Sequence, residues 1–112
     1  MPEIYQREIQ VYQTANGREP FNEWLGAIRD TETQARIRAR LERLEDGNLG
    51  DCRSVGDGVF ELRIHFRAGY RIYFAQKDNT IILLLCGGDK SSQRRDIRRA
   101  KTYWSEYKRE HL

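Results

Sequence analysis

The 112 residues are enough for one domain with a modest core and too few for two, so we expect a single domain over residues 1–112. The longest apolar run, Ile81–Cys86, is far shorter than the roughly 20 residues that cross a bilayer, and two cysteines are too few for a disulfide framework. These features favour a cytoplasmic protein with reduced thiols over a membrane or secreted one. The alternative for the thiols is a single bridge between Cys52 and Cys86. The formal net charge of +3 is unevenly spread, because residues 1–52 carry seven basic and ten acidic side chains whereas residues 53–112 carry thirteen basic and seven acidic ones.

The first predicted elements are a strand and a short helix. Residues Ile4–Tyr12 alternate in character, with Ile9 and Val11 on one face, which is typical of a strand. Asn16-Gly17 marks a turn, and Pro20 suits the first position of a helix. The apolar stripe of that helix consists of Phe21, Trp24, Leu25 and Ile28.

A second helix is predicted to follow directly. Thr31 and Gln34 have the spacing of a capping box, and Gly47 suits the position just after a helix end. The buried stripe of this helix consists of Ile37, Leu41 and Leu44. Four arginines between those apolar positions are interpreted as a solvated helix face: Arg36, Arg38, Arg40 and Arg43.

The second half of the chain predicts three strands and a final helix. A loop over Asn48–Asp57 precedes strands at about Val59–Phe66, Tyr70–Gln76 and Thr80–Cys86. Gly87-Gly88 is expected to end the third strand, and Ser91 or Ser92 to cap a helix that buries Ile97, Ala100, Trp104 and Tyr107. The order β-α-α-β-β-β-α predicts an α+β fold, with helices packed on one face of a small antiparallel sheet.

The hairpin of residues 58–74 sorts its side chains by face. A three-residue loop ending in Gly69 would pair Phe66 with Tyr70, and strand alternation then fixes both faces. The core face consists of Phe60, Leu62, Ile64, Phe66, Ile72 and Phe74. The opposite face collects Glu61, Arg63, His65, Arg71 and Tyr73.

That second face has the groups that a phosphodiester reaction needs. Arg63 and Arg71 could hold a phosphate and stabilise the charge that grows on it, and the imidazole of His65 or the phenol of Tyr73 could transfer protons. The alternative is an ordinary exposed sheet face, on which Glu61 pairs with the two arginines.

A second basic region follows the last predicted strand. Free backbone amides of residues 87–92, with the charge of Lys90, could bind an anion, although a turn with a serine cap explains the same residues. Arg94, Arg98 and Lys101 form one stripe on the following helix, which could follow a nucleic-acid backbone or could equally be a solvated face. Arginine supplies sixteen of the twenty basic residues, which fits nucleic-acid binding or a GC-rich coding sequence equally well.

The segments GVFELRIHFRAGYRIYF (58–74) and LLLCGGDKSSQRRDIRRAKTYW (83–104) resemble the RelE/ParE toxin superfamily. With FNEWL (21–25) and RIRARLERLEDGNLGD (36–51), the resemblance is to its HigB-like branch of phage-derived addiction module killer proteins. It implies a RelE-like α+β toxin inhibited by a cognate antitoxin, often one with a helix-turn-helix domain. It also implies a metal-independent endoribonuclease without cofactors, which cuts mRNA, commonly on the ribosome, and leaves a 2′,3′-cyclic phosphate and a 5′-hydroxyl.

The resemblance assigns roles to individual residues. Arg71 matches the family's phosphate-binding arginine, Arg63 matches a catalytic basic residue, and Lys90 falls near a third basic position. Glu61 stands where some relatives are basic, and Asp96-Ile97 occupies the region of a C-terminal catalytic tyrosine. His65 is therefore the expected general acid or base, with Tyr73 as the second choice. The residues expected to position RNA are Arg67, Arg94 and Arg98.

Two other functions are compatible with the same resemblance. A ParE-like toxin would inhibit DNA gyrase without cleaving RNA, and Glu61 in place of a basic residue favours that alternative. A catalytically inactive relic would bind only an antitoxin or an operator. Grouping of Arg63, His65 and Arg71 favours the endoribonuclease.

Overall fold

The structure, a computed structural model, describes residues 6–111, so Ile4 and Tyr5 of the predicted first strand lie outside the described residues. Those 106 residues form five strands and three helices. Their bounds are β1 Glu8–Val11, α1 Pro20–Ala27, α2 Thr31–Glu45, β2 Cys52–Gly56, β3 Val59–Ile64, β4 Tyr70–Lys77, β5 Ile81–Asp89 and α3 Gln93–His111, with a 3-10 turn at Lys90–Ser92 before α3. No helix of this part of the chain is long and apolar enough to cross a membrane.

The five strands form one mixed sheet in the order β1-β5-β4-β3-β2. β1 runs parallel to β5, and every other neighbouring pair is antiparallel. The prediction of an α+β fold is confirmed, whereas the prediction of a purely antiparallel sheet is wrong. β1 and β5 are separated in the chain by β2, β3 and β4, and local sequence patterns do not indicate the direction in which two such distant strands pair.

β2 lies within the segment predicted as a loop, Asn48–Asp57, and that prediction is wrong. Cys52 pairs with Leu62 and Arg53 with Glu61, and a bulge follows Ser54. As an edge strand with an exposed arginine and serine, β2 lacks the apolar alternation that identifies a half-buried strand. Its pairing with β3 places Arg53 directly opposite Glu61.

Helices cover both faces of the sheet, so their predicted placement on one face is wrong. On one face, α1 and α2 pack through Phe21, Leu25, Ile37 and Leu44 against strand residues that include the predicted core face of the hairpin. On the other face, α3 packs through Ala100, Trp104 and Tyr107. The reason is visible in β4 and β5, since Ile72–Ala75 and Ile82–Cys86 are apolar or aromatic at every position and must be covered on both sides.

The pair Gly87-Gly88 continues β5 to Asp89 instead of ending it. Consecutive strand residues face opposite layers, and a Cβ at Gly87 would overlap the Trp24 indole whereas one at Gly88 would overlap the Asp96 carboxylate. The two glycines therefore let α1 and α3 approach the sheet closely.

Two predicted helix caps are also corrected. Asp89, and neither Ser91 nor Ser92, caps the turn before α3, because its carboxylate accepts hydrogen bonds from both serine amides. At α2 the cap is Asp30, which accepts from the Glu32 amide. The amide of Gln34, predicted to complete a capping box, instead donates to the carbonyls of Leu25 and Ile28 and fixes the end of α1.

Candidate functional site

The β3–β4 hairpin has a different register from the predicted one. Ile64 pairs with Tyr70, Arg63 with Arg71 and Glu61 with Tyr73, so the connection is five residues long instead of three. The longer turn is stabilised by hydrogen bonds from the amide of Phe66 to the carbonyl of Ile64 and from that of Gly69 to the carbonyl of Phe66. The register differs by two residues, and an even shift leaves every paired side chain on its predicted face.

Three guanidinium groups converge on one buried carboxylate where this hairpin meets the start of α3. Glu61 is fully buried, and its Oε1 accepts from Arg53 Nε at 2.9 Å and Arg63 Nε at 3.2 Å. Its Oε2 accepts from the hydroxyl of Tyr73 at 2.9 Å and from Gln93 Nε2 at 3.0 Å. Arg71 Nε lies 3.7 Å from the same Oε2. We call this group, Arg53, Glu61, Arg63, Arg71, Tyr73 and Gln93, the Glu61 cluster.

The cluster keeps its carboxylate ionised and its phenol neutral. Burial alone would raise the pKa of Glu61, but hydrogen bonds from Gln93, Arg53, Tyr73 and Arg63 outweigh it and lower that pKa to about 2. Burial and the hydrogen bond to Glu61 raise the pKa of Tyr73. Three guanidinium charges therefore face a single carboxylate charge, and the cluster has an excess of positive charge.

The three arginines differ in how far they reach solvent. The side chain of Arg53 is 51% exposed and that of Arg63 is 34% exposed, whereas that of Arg71 is 10% exposed. Arg71 donates to the carbonyl of Gly69, and its buried Nε has no hydrogen-bond acceptor among residues 6–111. Such a fixed group of guanidinium donors suits a tetrahedral oxyanion, which arginine binds with two or more parallel hydrogen bonds.

The predicted site residues fall into three places. Arg63, Arg71 and Tyr73 share the Glu61 cluster, although the hydroxyl of Tyr73 is buried and already donates to Glu61. His65 lies in the turn after β3, where it is exposed and paired with the carboxylate of Asp51. Arg67 lies at the hairpin tip against the start of α2, with ion pairs of 3.0 Å to both Asp30 and Glu32.

Lys90, Arg94 and Arg98 line an open groove of about 510 Å3 beside the 3-10 turn. The amides of Ser91 and Ser92 donate to the carboxylate of Asp89, so the positive charge of the groove comes from its side chains. Gln93 lines the same groove and donates to Glu61, which makes the groove a neighbour of the Glu61 cluster.

Sequence reasoning missed Arg53, Gln93 and Asp51 as members of the site. Arg53 was assigned to a loop, and its role becomes visible only through the pairing of β2 with β3. Gln93 and Asp51 come from distant segments, so no spacing in the sequence connects them with the hairpin. Glu61 was placed on the correct face, but its complete burial depends on α3 and could not be read from the hairpin alone.

The sequence matches a protein family and is similar to a protein of a bacterium. Residues 23–108 match the family described as Phage derived protein Gp49-like. An uncharacterized protein of Haemophilus influenzae is 48% identical over 81 residues, which cover 72% of this chain and 82% of that protein. The family match spans α2, all of the Glu61 cluster and most of α3.

Proposed function

The chain belongs to the Gp49-like family of phage-derived proteins, a family of RelE-like addiction-module toxins, and on that premise we propose that it is a type II toxin that cleaves mRNA. The observation that carries the proposal is the convergence of Arg53, Arg63 and Arg71 on Glu61. Toxin-family membership also suggests an antitoxin partner. Within the proposal, that antitoxin is of the helix-turn-helix type, and cleavage takes place in the cytoplasm, on free or ribosome-bound mRNA.

In the proposed reaction the arginines bind the scissile phosphate. The ribose 2′-oxygen attacks phosphorus, the bond from phosphorus to the 5′-oxygen breaks, and the products are a 2′,3′-cyclic phosphate and a 5′-hydroxyl. Negative charge grows on the non-bridging oxygens during attack, and guanidinium groups fixed in advance stabilise it without reorganising. Glu61 does not touch the substrate in this mechanism; it positions the three arginines.

His65 is the proposed proton-transfer group. Its imidazole is exposed, its partner Asp51 orients one ring nitrogen, and the other nitrogen is left for substrate. His65 and Arg63 line the same groove, which places an imidazole beside a phosphate-binding arginine. His65 either takes the proton from the 2′-hydroxyl, with water protonating the leaving 5′-oxygen, or supplies the proton to the 5′-oxygen, with water taking that of the 2′-hydroxyl. Lys90 contributes a further phosphate contact, and Tyr73 supports Glu61.

The test is induction of the protein in bacteria, followed by primer extension on cellular mRNA. We expect growth arrest with new 5′ ends in the transcripts, and Arg71→Ala should relieve both. Arg38→Ala, which removes an exposed arginine from α2, is the matched control and should remain toxic. Growth arrest with an intact transcript pool would contradict the proposal.

A gyrase inhibitor is the second candidate, because one observation favours it. Glu61 neutralises part of the arginine charge, and Tyr73 is occupied, so proton transfer depends on His65 alone. Stalled replication and an SOS response without mRNA cuts would support gyrase inhibition. Unimpaired growth at high expression would instead support an inactive protein that only binds its antitoxin.

A further inference from the structure

A second basic groove opens on the other side of Arg63. Its volume is about 370 Å3, and it lies beside residues 63–66, which are the end of β3 beyond its pairing with β2 and the start of the turn that follows. Helix α2 and residues 48–51 form its walls. Its charged or titratable side chains are Arg36, Arg40, Arg43, Asp51, Arg63 and His65, and we call it the α2 groove.

One wall of the α2 groove is built around Arg40. This arginine is buried and donates to the carbonyl of Asn48 at 3.2 Å and to that of Leu49. Gly50 has a φ of +59°, and a Cβ there would overlap the guanidinium of Arg40. Residues 48–50 therefore pack against the guanidinium of Arg40, which is held in a fixed position in the groove wall.

The other arginines of the groove have few anionic partners. Asp51 is engaged by His65, and Arg43 makes no ion pair within residues 6–111. Arg36 reaches Glu32 only at 3.8 Å, and its guanidinium lies 4.3 Å from the centre of the Phe66 ring. Burial lowers the pKa of Arg40, and the nearby positive charge of Arg43 lowers it further, which indicates a local excess of positive charge in the groove.

We infer that the α2 groove binds backbone phosphates of a single-stranded RNA whose scissile phosphate occupies the Glu61 cluster. The inference rests on the proposed function, and Arg63 connects the two places because it lines the groove and contacts Glu61. Arg36 and Arg43 supply the phosphate contacts. The Phe66 ring is covered by the guanidinium groups of Arg36 and Arg67, which lie 4.3 and 4.9 Å from its centre, so it holds Arg36 at the edge of the groove.

The test measures binding of a 12-nucleotide 2′-O-methyl RNA, which lacks the attacking hydroxyl, by fluorescence anisotropy over a series of salt concentrations. The variant Arg36→Gln/Arg43→Gln should bind at least about tenfold more weakly. Its slope of log affinity against log salt should be shallower by about 1.4, since each single-strand phosphate contact contributes about 0.7. The control Arg38→Gln lies on the same helix outside the groove and should stay within about twofold of the wild type.

The outcomes separate the α2 groove from the proposed nuclease activity. If the double variant kept its affinity and slope, or if the wild type did not bind RNA, the proposed role of the α2 groove in RNA binding would be wrong. If transcripts are still cut in that case, the nuclease proposal stands alone. If the double variant loses RNA binding but the wild type leaves cellular mRNA intact, the groove stands and the nuclease proposal fails. Thermal unfolding of each variant checks that the fold is retained.

Discussion

At the scale of single residues, Glu61 determines the chemistry of the site. A buried carboxylate without partners would be strongly unfavourable, but Glu61 accepts four hydrogen bonds and has a third arginine nearby. The same carboxylate aligns Arg53 and Arg63 and lies 3.7 Å from the Nε of the largely buried Arg71. A residue that looks like the loss of a basic position in the sequence therefore organises the basic residues that remain.

Replacement of Glu61 by Gln should destabilise the protein at neutral pH and flatten its acid response. The pKa of Glu61 is below its ordinary value in the folded state, so its contribution to stability is complete above about pH 4.5 and is lost as the pH falls towards about 2. At about 1.4 kcal/mol per pH unit, the contribution is on the order of 3 kcal/mol. Urea unfolding at pH 7 and pH 3 measures it; equal acid sensitivity in wild type and Glu61→Gln would contradict the assignment.

Replacement of His65 by Asn should separate chemistry from binding. Loss of a general acid or base typically costs about 10² to 10⁴ in rate, so we expect RNA cleavage to fall by that factor. Affinity for the uncleavable RNA should change by only a few fold, because the arginines remain. His111→Asn, at the far end of α3, is the matched control. Full cleavage by His65→Asn would remove this residue from the mechanism.

At the scale of elements, sequence reasoning located the helices along the chain and sorted the hairpin faces correctly, but it mistook several strand pairings and the layer to which α3 belongs. Ile72 and Phe74 identified the core face even though the register was shifted by two, because strand alternation is insensitive to an even shift. β2 was missed because Arg53 and Ser54 are exposed at a sheet edge. The position of α3 on the second face depends on long-range packing that no local pattern encodes.

The Gly87-Gly88 step should be intolerant of side chains although it lies in a strand. Gly88→Ala places a Cβ against the buried carboxylate of Asp96, and overpacking of this kind typically costs about 1–3 kcal/mol. Gly26→Ala, in α1 with open space around it, should instead stabilise by about 0.5–1 kcal/mol because glycine is unfavourable within a helix. Thermal and urea unfolding of both variants measure the contrast. A stable Gly88→Ala protein would show that α3 can move away from the sheet.

At the scale of the whole molecule, the fold gathers basic residues from four distant segments around one end of the hairpin. The α2 groove, the Glu61 cluster and the groove at Lys90 adjoin in that order, through Arg63 on one side and Gln93 on the other. The sequence predicted the charge of the second half, but it also led to α2 being interpreted as a solvated face. Only the folded chain shows which arginines of the acidic first half join this surface.

The groove at Lys90 should contribute to RNA binding through charge alone. Removal of two arginines by Arg94→Gln/Arg98→Gln should make the slope of log affinity against log salt shallower by about 1.4, with the largest loss of affinity at low salt, because each neutralised phosphate releases counterions. Arg109→Gln is the control: it lies about 16 Å further along α3 than Arg98, at 1.5 Å per residue, and lines a different depression. Anisotropy with the uncleavable RNA at several salt concentrations provides the measurement. If the control changed the slope as much as the double variant, binding would depend on the net charge of the protein and the RNA would have no defined path over the hairpin.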